Sequence, residues 1–175
     1  MIATENILFP TGFSFFTLGA TTLIAQALII RELLFSFYGN EIFAGLVLTF
    51  WLLWVALGSF FLPGFFFNKS PLKTLTACLV LIPLILLCQI VFIRFLAGQG
   101  EFPGLMPDLF SGLIAVFFIP APLCLILGLQ FAIACRLLPV ASAGLINKAY
   151  LIETLGFIFG GGIFSIRPSS ARCCR

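Results

Sequence analysis

The chain has 175 residues, 62% of them hydrophobic and 9% charged, with a mean hydropathy of +1.24 and a net charge of +3. A soluble domain carries roughly 25% charged residues, so a globule of this composition could not cover its surface, and its solvent must be mostly lipid. No basic stripe exists to hold nucleic acid, and the absence of histidine removes the commonest general base and the commonest metal ligand.

The aromatic content is 23 Phe against two Trp and two Tyr. Phe is tolerated through the hydrocarbon, whereas Trp and Tyr gather at interfaces. A membrane β-barrel needs short alternating segments with a polar lumen face, and the apolar runs here are unbroken and too long for that. The length suits one domain.

The first run, Phe13 to Ile30, continues as helix to Tyr38, giving a helix near 13–38. It is too long for a cleaved signal peptide and has no basic leading region. Gly39 and Asn40 break it, with Asn40 as N-cap and Glu41 at the positive end of the next helix. The second run covers 42–62, and Pro63-Gly64 with Asn68-Lys69-Ser70-Pro71 mark a loop. The third covers 72–96, with Pro83 as a kink. Gly98 to Asp108 reads as a loop. The fourth run, 109–138, is broken by Pro120 and Pro122, and the fifth covers 150–166. Each is near or above the roughly 20 apolar residues that cross a bilayer. The expectation is an all-α polytopic transmembrane bundle of about five helices over residues 1–166. The tail at 167–175, RPSSARCCR, changes composition abruptly. That change suggests a truncated bundle or a shifted reading frame.

With a cytoplasmic N-terminus, the inner loops hold Lys69, Lys73, Arg136 and Lys148. The outer ones hold Arg31 and Arg94 beside Glu32, Glu41, Glu101 and Asp108. This obeys the positive-inside rule, although the basic tail then falls outside. The implied localisation is the cell membrane.

Polar residues within the runs are the candidate site. Arg31 and Glu32 sit about two turns before the end of the first helix. They read either as a polar site between helices or as interfacial groups whose stems lie along the helix. Glu153 lies one turn into the fifth run, as an interfacial residue or as an acid facing a cavity. Gln26, Gln89 and Gln130 are expected to hydrogen-bond between helices, and Gly58, Gly156 and Gly160 to allow close helix contact. Trp51 and Trp54 share one face of the second run and read as packing. Four of the six cysteines, Cys78, Cys88, Cys124 and Cys135, lie inside apolar runs as small hydrophobes. Cys173 and Cys174 are adjacent in the tail, and no CxxC pair suggests a metal or redox centre. The glycine-rich stretch after Gly156 follows no strand, so it is no nucleotide loop.

Three stretches together carry a family resemblance: QALIIRELLFSFYGNE at 26–41, LVLTFWLLWVALGSFFLPG at 46–64, and AYLIETLGFIFGGGIFS at 149–165. They resemble the N-terminal membrane part of the fused spermidine synthase-like membrane proteins. In that family a multi-helix region, distantly like a major-facilitator half, precedes an aminopropyltransferase-like Rossmann domain. The shared marks fall on Arg31, Glu32, Leu33 and Gly39, then Leu57, Gly58 and Ser59, then Tyr150, Thr154, Leu155, Gly156 and Gly160. The family's synthase domain has no counterpart here, so its catalytic residues have no positions to fall on. The resemblance implies a membrane anchor or a module binding a small, polyamine-related molecule. A transporter half for a small cationic or amphiphilic solute and a structural subunit are the alternatives. The partners expected are the lipid bilayer and further membrane helices, from a homo-oligomer or another chain. No catalytic residue, cofactor or metal is expected.

Overall fold

The computed structural model describes residues 2–36, 41–66, 70–98, 109–137 and 143–166. They form α1 (Ile2–Ser36), α2 (Glu41–Phe65), α3 (Pro71–Gly98), α4 (Leu109–Phe118), α5 (Ala121–Arg136) and α6 (Ala143–Ile166). No strand occurs among the described residues, so the chain is an all-α bundle. The physical reason is that a backbone in hydrocarbon must satisfy its hydrogen bonds within its own segment.

Four stretches among the described residues are long and apolar enough to cross a membrane: Gly12–Phe35, Glu41–Phe65, Pro71–Leu96 and Gly112–Arg136. The last runs through α4 and α5, one bent rod. The expected fifth helix is present as α6, Ala143–Ile166, which is not among those four.

Several boundaries differ from the sequence reading. Helix α1 starts at Ile2 rather than near residue 13, and is 35 residues long. Apolarity marks the part that lipid needs, whereas helical hydrogen bonding continues past it. Pro63 and Gly64 fall in the last turn of α2 instead of a loop, since membrane helices tolerate such residues. Pro83 lies within α3, which continues from Pro71 to Gly98. Helix α6 begins at Ala143, so Lys148 is helical. Asn40, the loop after Gly98, and the tail with its cysteines lie outside the described residues.

Two parallel helix pairs organise the bundle. On α1, Gly12 faces Ile152, Gly19 faces Glu153 and Phe157, Ala20 faces Gly160, and Leu23 faces Gly161. The numbers rise together, so α1 and α6 run parallel. On α2, Phe50 and Trp54 meet Phe117, and Gly58 meets Leu125, so α2 runs parallel to the α4–α5 rod. Helix α3 is antiparallel to that rod. Its early residues Leu75 and Cys78 pack with Leu129 and Ile133, while its later Gln89 reaches Ile119.

The packed interior falls into two clusters along the bundle. One joins Ala25, Ile29 and Leu33 of α1 to Val47, Trp51 and Leu123. The other joins Phe15 to Leu75, Cys78 and Ile133. Large side chains such as Phe35, Phe60 and Phe65 stay exposed on the outside, as a lipid-facing surface requires. Because lipid is as apolar as the side chains, close packing and polar contacts, not hydrophobic burial, hold the helices together.

Candidate functional site

The main concentration of polar interactions surrounds the break between α4 and α5. Pro120 and Pro122 have no N–H, so the carbonyls of Val116 and Phe118 lose the donors a continuous helix would give them. The helix stops at Phe118 and resumes at Ala121, with a proline in its first turn, where a missing N–H does no harm. Ile119 and Pro120 are buried, and a buried carbonyl without a donor is costly.

Two neighbouring helices supply donors. From α2, the Trp54 indole N–H donates to the Phe117 carbonyl at 2.8 Å. From α3, the Gln89 amide donates to the Ile119 carbonyl at 2.7 Å. The Trp54 ring also lies against Phe117 at 5.2 Å, and Phe50 meets the same ring edge-on at 5.0 Å. The break is therefore held from both sides.

That arrangement fixes the orientation of the Gln89 amide, because only its nitrogen can face a carbonyl. Its Oε1 is left buried without a hydrogen-bond partner. Gln130 on α5 is 0% exposed, and neither polar atom of its amide has a partner. Of the three glutamines expected to bond between helices, Gln89 does so. Gln130 does not.

A second polar contact ties α1 to α3. The Arg94 guanidinium forks onto the Glu32 carboxylate at 2.8 and 3.1 Å. Glu32 is mostly covered, at 15% exposure, and Arg94 remains open at 69%. The partner of Glu32 is thus a residue from another helix, 62 positions away, whereas adjacent Arg31 is exposed. Glu153 sits elsewhere. It is half-buried on α6, with its backbone carbonyl against Gly19. From Gly19 to Glu32 the rise along α1 is on the order of 20 Å. Arg31, Glu32 and Glu153 do not converge on one site.

Gly58, Gly156 and Gly160 lie where another helix's backbone approaches closely. A Cβ at Gly156 would strike the Phe16 carbonyl, and one at Gly160 would strike Ala20. One at Gly58 would meet the Leu125 backbone. Trp51 is buried as packing, but Trp54 is also a hydrogen-bond donor, which helical spacing alone could not reveal. Arg94 and the carbonyl acceptors were missed too. Their signal was present in the paired prolines and in a lone arginine at the end of an apolar run. Cys78 and Cys124 are buried and Cys88 and Cys135 exposed, all as free thiols. Among the described residues no cluster of metal-ligating side chains occurs. No protein-family profile, no curated protein and no solved structure matches the chain, so its function has to rest on its own chemistry.

Proposed function

We propose that the chain is the membrane-embedded domain of a spermidine synthase-like protein, a helical anchor and small-molecule binding module without a catalytic role of its own. The observation that carries the membrane part is the set of four apolar stretches of crossing length. The sequence resemblance supports the family assignment. The polar groups described here work on structure: Glu32 with Arg94 joins two helices, and Trp54 with Gln89 holds a break. The test is to purify the chain in detergent and measure both spermidine binding and aminopropyl transfer. Binding without transfer is expected. Measurable transfer would overturn the reading.

The α4–α5 break favours a second reading, half of a secondary transporter for a small cationic or amphiphilic solute. Discontinuous membrane helices commonly form the binding sites of such proteins. Reconstituted vesicles loaded on one side would show solute flux that depends on the chain. Flux equal to that of empty vesicles removes this alternative.

We infer the orientation from the charges. Lys73, Arg136 and Lys148 share the end of the bundle nearest Phe15 and Ile133, while Arg31 and Arg94 share the other end with Glu32 and Glu41. The end with more basic residues, Lys73, Arg136 and Lys148 against Arg31 and Arg94, faces the cytoplasm. Reporter fusions in the 67–69 connection and after Gly98 should read inside and outside respectively, and the opposite pattern rejects this topology.

A further inference from the structure

The α4–α5 break is rich in oxygen and poor in N–H groups. Pro120 and Pro122 each subtract a donor and no acceptor. Four carbonyls around the break have donors. Ala115 accepts from the Ile119 N–H at 2.9 Å, and Phe117 from the Trp54 indole at 2.8 Å. Ile119 accepts from Gln89 at 2.7 Å, and Pro120 from the Cys124 N–H at 3.0 Å. The carbonyls of Val116 and Phe118 stand four residues before the two prolines, so no helical N–H reaches them.

Gln89 brings one more oxygen to this group. Its amide nitrogen is engaged by the Ile119 carbonyl. Turning the amide over would set its oxygen against that carbonyl, so Oε1 is held beside the break with its lone pairs open. The side chain is 6% exposed, and Oε1 accepts no hydrogen bond from any described group. Val116, Ile119, Ala121 and Leu123 around it are buried too. A buried acceptor without a donor is costly, and a donor arriving in such apolar surroundings is bound more strongly than in water.

The chemistry of that donor follows from the oxygens. An anion is disfavoured, because Pro122 removes an N–H from the first turn of α5 and the end of α4 presents the negative pole of its helix dipole. A quaternary ammonium has the right charge but no N–H. A primary ammonium carries three donors and no acceptor, which suits a cluster of oxygens. Gln89 lies five residues before Arg94, a rise of about 7 Å along α3. The nearer end of the bundle is therefore the one that carries Glu32 and Arg94.

We propose that Gln89 Oε1, together with the freed carbonyls of Val116 and Phe118, binds the primary ammonium group of a small solute at the α4–α5 break. The proposal rests on the reading of the chain as a small-molecule binding module and names the chemical group that module recognises. The two ends of one amide divide the work: Nε2 holds the break, and Oε1 receives the solute.

The test is equilibrium dialysis of the purified full chain in detergent, with radiolabelled methylammonium and radiolabelled spermidine as probes. Methylammonium should bind saturably and displace spermidine. Tetramethylammonium, equal in charge but without an N–H, should displace either probe about tenfold less well or worse, the effect of losing a hydrogen bond to a charged group. Gln89→Leu should weaken methylammonium binding by a similar factor. Gln89→Glu, which keeps an acceptor oxygen at that position, should bind at least as tightly as the parent. Equal displacement by the two cations overturns the proposal, and so does unchanged binding by a folded Gln89→Leu chain. If size exclusion shows Gln89→Leu to be misfolded, the comparison of the two cations on the parent chain decides. Spermidine bound but not displaced by methylammonium would leave the binding module standing and remove this site. Binding of neither probe would remove the module reading, and the proposal with it.

Discussion

Trp54 of α2 donates its indole N–H to the backbone carbonyl of Phe117 across 2.8 Å, where α4 ends. This bond supplies a donor at a backbone break that two prolines create. Trp54→Phe keeps the ring and removes the donor. Polar contacts between membrane helices contribute about 0.6 to 2 kcal/mol, so thermal unfolding in detergent should occur a few degrees lower with helicity retained. Gln89→Leu should act in the same direction. The double variant should lose less than the two single losses combined, because both donors hold one break. Full additivity would show that they act independently.

Gly19, Gly58 and Gly156 are backbone-contact positions, so Gly→Ala there should destabilise by about 1 to 3 kcal/mol through overpacking. Gly45 and Gly162 have nothing within 4 Å of an added Cβ, so alanine there should leave unfolding unchanged or slightly raised. Size-exclusion profiles after graded heating separate the two classes. Equal tolerance at all five positions would mean that the crossings are looser than described.

Gln130 carries a buried amide with no partner for either polar atom. Replacing an unsatisfied buried polar group with an apolar group of similar shape is neutral or stabilising. Gln130→Met should therefore leave the unfolding temperature unchanged or raise it. A clear drop would reveal a partner for that amide, such as a bound water or ligand.

The Glu32–Arg94 fork joins α1 to α3. Glu32→Gln and Arg94→Gln should each lower thermal stability, and the exchanged pair Glu32→Arg with Arg94→Glu should recover part of the loss. Arg31→Gln should have little effect by comparison. If Arg31→Gln proves as damaging as Glu32→Gln, the carboxylate depends on its chain neighbour more than on α3.

Composition and the length of the apolar runs were enough to determine an all-α membrane bundle, because hydrocarbon leaves the backbone few ways to satisfy its hydrogen bonds. The glycines at 58, 156 and 160 were legible as contact positions for a related reason, since in lipid only small residues let backbones approach. Pro120 and Pro122 announced a break, because two prolines within one turn leave two helical carbonyls without donors. The tertiary structure alone decided which residues meet across it. Trp54 and Gln89 reach the Phe117 and Ile119 carbonyls at the break from two other helices, and Glu32 takes its forked hydrogen bonds from distant Arg94. The parallel pairing of α1 with α6 and of α2 with the α4–α5 rod belongs to the same class. A sequence records which side chains can approach closely or donate a hydrogen bond, but the identity of the partner depends on which faces the packed helices turn toward each other.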